Sequence, residues 1–303
     1  MNDTFGRIFL TQDLPGTGGR IKEQPEDFVV EEIPLYDFSD QGNFALLLLK
    51  KVNLSTLDFV ACIRKHLHLR DEEVGLAGWK DKRAITSQTG HLLGNHFTIL
   101  IRQADAEAEN RAQAIIQQLQ TFGLPNFYGP QRFGARGDNP EKGLALLLGQ
   151  YRLRSVRKRK LLVSSYNSLL FNLTLKERME KDLFAKLLQG DIAKKHDTGG
   201  IFLVSDPEKE QPRADRLEIS ATGPIWGKKM KRAGNEAAAL EEKILSSQGV
   251  TPDVFRKQPG SRRSLRIALK EVNVCQEKEG LRLEFFLPKG SYATVLLDEI
   301  MKA

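Results

Sequence analysis

A chain of 303 residues, 40% hydrophobic and 28% charged, has the composition of an ordered globular protein, and its length allows one large domain or two ordinary ones. Forty-six Lys and Arg against 39 Asp and Glu leave a formal charge of +7, which favours a polyanionic partner such as nucleic acid without demanding one. Cys62 and Cys275 stand outside any C-x-x-C spacing, residues 1–6 lack the basic start of a signal peptide, and the apolar stretch 44–49 is too short to span a bilayer, so a disulfide framework, a thiolate zinc site, secretion and a membrane location are all disfavoured and a reducing cytosol is expected.

Two apolar segments, Phe28-Val29-Val30 and residues 44–49, are separated by Pro34 and the turn signal Asp40-Gln41-Gly42-Asn43, which predicts a β-hairpin-like start. Leu57, Val60, Ala61 and Leu67 fall near one face of a helix for which Ser55 or Thr56 is a candidate cap. Phe97, Ile99 and Ile101 alternate as in a buried strand. A helix is expected over about 106–122, with Ile115, Leu119 and Phe122 on one face and a stop at Gly123 and Pro125.

Near residue 152 the texture changes. Arg152, Arg154, Arg157, Lys158, Arg159 and Lys160 place six cations in nine residues with no acid among them, which suits a domain edge. Helices are expected at about 162–178, 180–189 and 235–248, with a surface loop over 206–213, which is polar and twice interrupted by proline. Leu281, Leu283, Phe285 and Leu287 alternate as a strand that Pro288 breaks, and a short helix from Ser291 closes the chain. The pattern is mixed α and β.

The five histidines form no metal-ligand spacing with cysteine or carboxylate, and the sequence carries no Walker A run, dinucleotide-binding glycine motif or Gly-x-Ser-x-Gly elbow. Two segments are dense in chemically useful residues. In Ala77-Gly78-Trp79-Lys80-Asp81-Lys82-Arg83-Ala84-Ile85-Thr86-Ser87-Gln88, flanking cations favour the ionised carboxylate that a nucleophile needs. On an extended backbone Lys80 and Lys82 would nevertheless point away from Asp81, and a solvated turn explains the same run. In Pro125-Asn126-Phe127-Tyr128-Gly129-Pro130-Gln131-Arg132-Phe133-Gly134, a carboxamide, three aromatics and an arginine suit stacking a base and bonding its edge, while a packed turn with aromatic anchors is the other reading.

These two segments resemble the signature runs of the TruD family of tRNA pseudouridine synthases. Further similar segments lie in order along the chain: Arg20-Ile21-Lys22 with Pro25-Glu26-Asp27-Phe28, Ser165-Tyr166 with Leu170-Phe171-Asn172, Thr222-Gly223-Pro224-Ile225-Trp226-Gly227, Pro259-Gly260-Ser261-Arg262-Arg263, and Leu287-Pro288-Lys289-Gly290-Ser291-Tyr292-Ala293-Thr294. The resemblance implies an α+β fold: a pseudouridine synthase catalytic domain with a central, mainly antiparallel sheet, formed by residues 1–153 and 263–303 and interrupted by an inserted α/β TruD-specific domain at 154–262.

It also implies isomerisation of uridine to pseudouridine in tRNA, typically at position 13, by a cytoplasmic enzyme expected to act as a monomer. Asp81 would be the catalytic nucleophile, Phe28 and Tyr292 would line the uracil pocket, Asn126 would bond the nucleoside, and Lys22 would pair with Asp81 or a phosphate. No metal, nucleotide or redox cofactor is expected, since nothing is gained from outside the substrate. Tyr292 stands where the family generally has Phe, and Asp298 where Arg is expected. The stretch 152–160, Lys228-Lys229-Met230-Lys231-Arg232 and Arg262-Arg263 would supply phosphate contacts. The rival reading is a catalytically inactive RNA-binding or RNA-chaperone protein on the same fold. An RNA-cleaving enzyme ranks lower, because these motifs hold no general acid/base pair.

Overall fold

The structure, a computed structural model, describes residues 7–35, 49–52, 54, 56–70, 85–88 and 92–302. The chain runs through β1 (Phe28–Pro34), β2 (Leu49–Val52), α1 (Thr56–Leu67), β3 (Ile85–Gln88), β4 (Leu92–Arg102), α2 (Ala108–Phe122), β5 (Leu124–Pro125), α3 (Asn139–Leu147) and α4 (Val156–Glu180). It continues through β6 (Ile192–Lys195), β7 (Ile201–Leu203), α5 (Pro207–Asp215), β8 (Ile219–Ile225), α6 (Asn235–Ser247), β9 (Ser261–Ser264), β10 (Arg266–Ile267), β11 (Asn273–Glu277), β12 (Gly280–Pro288) and α7 (Ala293–Met301). Two compact units emerge, one of residues 1–12 and 118–268, the other of 13–117 and 269–303. α3 packs along α4 and so draws the segment after Gln117 into the first of these units.

In the unit of residues 13–117 and 269–303, the described strands form one sheet in the order β11-β12-β4-β1-β3-β2, antiparallel throughout except for the β1–β3 pair. The alternation in β12 does what its sequence predicts: Leu281, Leu283, Phe285 and Leu287 are fully buried while Arg282, Glu284 and Phe286 are not. Phe285 lies opposite Phe97 of β4, and their rings stack at 5.2 Å between centroids; Phe28 meets Phe97 edge-on at 6.2 Å. Each such side chain removed from water contributes on the order of 1.5–3 kcal/mol, which makes the β1-β4-β12 seam the anchor of the sheet. Gly94 is required where β4 passes β12, since a Cβ there would collide with the Phe286 ring and the Leu287 carbonyl.

Most of the expected hairpin between residues 26 and 50 lies outside the described residues. β1 pairs with β4 and, in parallel, with β3, and β2 pairs with β3 instead. A turn signal fixes where a chain reverses but not which strand fills the adjacent edge, and β3 takes the place beside β1. The second apolar segment up to residue 48 and the cap residue Ser55 lie outside the described residues.

In the unit of residues 1–12 and 118–268, a four-stranded sheet β7-β6-β8-β9 lies beside α4, which buries twelve of its 25 residues. Ser165, Tyr166, Asn167 and Ser168 are buried consecutively, so the middle of α4 is enclosed on every side, with Tyr166, Leu170, Trp226, Met230, Ile244, Leu245 and Phe255 in one apolar cluster. Burial pushes the Tyr166 phenol up to about 12. The helix begins at Val156 rather than near 162, with Ser155 accepting a bond from the Lys158 backbone N–H, so the cationic run occupies an exposed first turn.

Two expected elements are absent or changed in this unit. No helix forms over 180–189. The chain leaves α4 through Asp182 at φ 55, and the Arg178 guanidinium then holds the carbonyls of Leu183 and Lys186, replacing the partners a helix would have provided. The segment 206–213, expected as a loop, is instead the start of α5. Asp206 caps it by accepting from the Lys209 backbone N–H, and Pro207 sits at the first helical position, where its missing N–H costs nothing.

Candidate active site

Asp81 and its run 78–82 lie outside the described residues. Ile85, four residues later in sequence, opens β3, and β3 pairs with β1 in the register Val29↔Ile85, next to Phe28. The strand that follows the proposed nucleophile therefore runs beside the strand that carries one of the proposed pocket residues.

The structure brings Lys22 and Phe28 together. Arg20 exchanges two backbone hydrogen bonds of 2.8 Å with Arg102, and two residues later Lys22 adopts a left-handed backbone at φ 62 that places Nζ 4.1 Å from the Phe28 ring centroid. A lysine held in that region costs of order 1 kcal/mol, an investment expected at functional sites. Phe28 itself is 1% exposed, its edge against Phe97 and its face under the Lys22 ammonium. Tyr292 is half-buried at the N-cap of α7, where its carbonyl accepts from the Val295 N–H.

A buried ion pair anchors this corner. Asp27, between Pro25-Glu26 and Phe28, is buried, and it accepts hydrogen bonds from Arg102 Nε at 2.9 and 3.0 Å and from the Gln24 backbone N–H at 2.9 Å. Burial pushes the carboxyl up, but the Arg102 guanidinium and the backbone donors more than offset this and hold it below its ordinary value. The carboxylate thus stabilises the fold above the unfolded pKa of about 4, and that contribution is lost as pH falls through the lower folded pKa. Asp27→Asn is expected to cost about 1–3 kcal/mol near neutral pH, with the difference from wild type in urea midpoint shrinking as the pH is lowered to about 3.

Asn126 belongs to the other compact unit. It is 6% exposed, and its carboxamide is engaged on both sides: Nδ2 donates to the Ser264 carbonyl at 2.8 Å, and Oδ1 accepts from Arg263 Nη2 at 2.6 Å. The backbone N–H of Asn126 donates to the Leu265 carbonyl. Two residues on, Asn172 of α4 clamps Tyr128, accepting from its N–H at 2.8 Å and donating to its carbonyl at 3.1 Å. Arg132 donates to Ser164 and Ser168 of α4.

Four of the segments that carry the resemblance, 125–134, 165–172, 222–227 and 259–263, lie within this unit. Asn167 reads both backbone groups of Trp226, donating to its carbonyl and accepting from its N–H. Gly227 lies so close to Gly260 that a Cβ on either would strike the other's backbone. Arg262, expected to contact phosphate, is instead a buried structural residue. Its guanidinium binds Glu241 at 2.6 and 3.0 Å and both oxygens of Thr222, with Arg262 and Glu241 side chains 1% and 7% exposed. A charge run in sequence does not reveal which of its members has a buried carboxylate waiting for it. Arg263 is likewise engaged within the protein, whereas Lys228, Lys229, Lys231 and Arg232 are exposed, as are the cations at 152, 154 and 157–160.

The roles of Asn167, Asn172, Arg263 and Asp27 as clamps were missed in the sequence. For Asn172, Arg263 and Asp27 the only signal there was position inside the matching segments, and Asn167 lies between two of them. Among the described residues, no helix is long and apolar enough to cross a membrane.

The family model described as tRNA pseudouridine synthase D (TruD) matches residues 4–89, 88–157 and 152–300. A tRNA pseudouridine synthase D of Thermus thermophilus is 43% identical over 97% of this chain and 92% of its own length. One from an Anaeromyxobacter species is 37% identical over 97% of this chain and 95% of its own. A crystal structure of the putative tRNA pseudouridine synthase D from Methanosarcina mazei superposes with a TM-score of 0.76 at 21% identity, covering 99% of this chain and 97% of that one, which shows a shared fold. Matched in this way along nearly its whole length, the chain belongs to the tRNA pseudouridine synthase D (TruD) family.

Proposed function

We propose that this protein is a tRNA pseudouridine synthase that isomerises uridine to pseudouridine at position 13 of tRNA, with Asp81 as nucleophile. The observation that carries this reading is family membership from residue 4 to residue 300, which includes the run around Asp81. A uridine stacked in folded RNA hides its glycosidic bond, so the enzyme extrudes it at a cost of a few kcal/mol. The Asp81 carboxylate then attacks C1′ or promotes elimination there, and the uracil detaches and rotates. C5 rejoins C1′ and frees the carboxylate, the proton on C5 leaves to solvent, and N1, released from the ribose, takes up a proton from solvent in its place. All other atoms stay with the nucleoside, so the net change is an isomerisation.

Phe28 and Tyr292 line the uracil site, Asn126 bonds the nucleoside, and Lys22 supplies positive charge near the carboxylate or a phosphate. The Lys22 ammonium over the Phe28 ring supports this grouping, since it gathers a cation and an aromatic wall at one place. The exposed cations of 152–160 and 228–232 hold the RNA backbone without reading sequence. Residues 154–262 form the family-specific insertion, and the protein works as a cytosolic monomer without metal or nucleotide.

The test uses tRNA transcripts carrying tritium at uracil C5. Isomerisation releases the label into water, and mapping the product places pseudouridine at position 13. Binding without release on any tRNA would leave only an RNA-binding protein, and release with the product at another position would overturn the assigned site.

A further inference from the structure

The carboxamide of Asn126 is fixed in one orientation by two neighbours of opposite character. Arginine has only donors, so the atom 2.6 Å from Arg263 Nη2 must be the acceptor Oδ1. A backbone carbonyl only accepts, so the atom 2.8 Å from the Ser264 oxygen must be the donor Nδ2. The ambiguity that usually attends an amide's orientation is removed by these two partners together. Arg263 also grips the Asn126 backbone carbonyl through Nε at 3.1 Å and Nη2 at 2.9 Å.

The guanidinium that does this is itself held in place. Its Cζ lies 4.0 Å from the Tyr128 ring centroid and 5.3 Å from that of Phe171. Tyr128 is locked to α4 through both of its backbone groups by Asn172, the residue after Phe171. The chain of restraint thus runs from α4 through two aromatic rings to Arg263 and from there to one amide. Among the described residues, this leaves the second Nδ2 hydrogen as the donor that Asn126 still has to offer, and Arg263 sets its direction.

We propose that Arg263 is a positioning residue for the isomerisation, orienting Asn126 so that its second Nδ2 hydrogen is donated to an oxygen acceptor of the flipped nucleoside. The proposal rests on the reading of Asn126 as a nucleoside contact. It separates Arg263 from the neighbouring Arg262, whose guanidinium serves the buried Glu241.

The test measures kcat and KM for tritium release from labelled tRNA, together with thermal melting, for Asn126→Ala, Asn126→Asp, Arg263→Ala, Arg263→Lys and the double variant Asn126→Ala/Arg263→Ala. Asn126→Ala and Arg263→Ala are each expected to lower kcat by about 100-fold. KM should stay within about twofold, because affinity is spread over many phosphate contacts. The double variant should be no slower than the slower single one, since both substitutions remove the same oriented donor. Asn126→Asp keeps the acceptor for Arg263 but has no hydrogen to give, and should be as slow as Asn126→Ala. Arg263→Lys should fall between wild type and Arg263→Ala, because an ammonium keeps a charge but lacks the planar fork.

Independent, multiplicative losses in the double variant would overturn the proposal, as would an Arg263→Ala enzyme with wild-type kcat. If Arg263→Ala melts below the assay temperature, Arg263→Lys and Asn126→Asp carry the comparison in folded protein, and full activity in either overturns it. A wild-type protein that releases no label defeats the synthase reading itself. An active wild type with an equally active Asn126→Ala leaves that reading intact and defeats this proposal alone.

Discussion

Replacing Asp81 by Asn is expected to leave tRNA binding within about twofold of wild type while lowering tritium release by on the order of 10⁴-fold or more, the scale on which removal of a reacting nucleophile is felt. Asparagine has nearly the same shape but cannot supply the negative charge that either attack at C1′ or elimination requires. The separation of binding from turnover is the informative part. A loss of affinity in parallel with activity would mean that Asp81 holds the fold or the RNA, and a variant that still turned over would remove it from the chemistry. Filter binding or anisotropy with labelled tRNA, run beside the release assay on the same preparations, makes the comparison direct.

The second large effect is on stability. Arg178 and Asp191 form a bidentate pair at 2.8 and 2.9 Å with side chains only 3% and 1% exposed, and Asp191 also accepts from the Leu188 N–H. Arg178→Met removes the cation and leaves the carboxylate buried, along with the carbonyls of Leu183 and Lys186 that Arg178 satisfied. The expected loss is about 3–5 kcal/mol, or a fall of roughly 10 °C in melting temperature. The double variant Arg178→Met/Asp191→Leu should recover part of that loss, because the stranded charge is gone. Unfolding followed by far-ultraviolet circular dichroism checks both, and a single variant as stable as wild type would show that water reaches Asp191.

Long periodic segments were readable from sequence for a simple reason: one residue type repeats at the spacing of one geometry. The alternation in β12 and the i, i+4, i+7 face of α2 both led to the right element within two residues at each end. The misreadings occurred where a side chain or a distant strand decided the outcome. Residues 180–189 have helical composition, yet the Arg178 guanidinium outcompetes the helix for two of their carbonyls. At α5, two prolines suggested a loop, although Asp206-Pro207 is a helix start when the aspartate turns back to cap it.

The candidate site divides in the same way. Residue types in the two signature segments suggested chemistry, but only the ordered resemblance singled out Asp81, Asn126, Phe28, Tyr292 and Lys22. The supporting residues were invisible, because Asn126 and Arg263 are 137 positions apart and nothing local links them. Adjacent Arg262 and Arg263 look interchangeable in a list of basic residues. In the fold one is committed to Glu241 and the other to Asn126.

The strand order of the six-stranded sheet also governs how the protein comes into being. β12 is threaded between β11 and β4, so that Leu283 meets Ile99 across almost two-thirds of the chain. During synthesis β4 emerges early and must wait, with one edge unpaired, until residues 280–288 leave the ribosome. The unit of residues 1–12 and 118–268, by contrast, has all its segments available once residue 268 has emerged. Non-local pairing of this kind folds slowly. The unit that carries Phe28, Lys22 and Tyr292 is therefore completed after the other, and a chain cut before residue 280 would have its central sheet open.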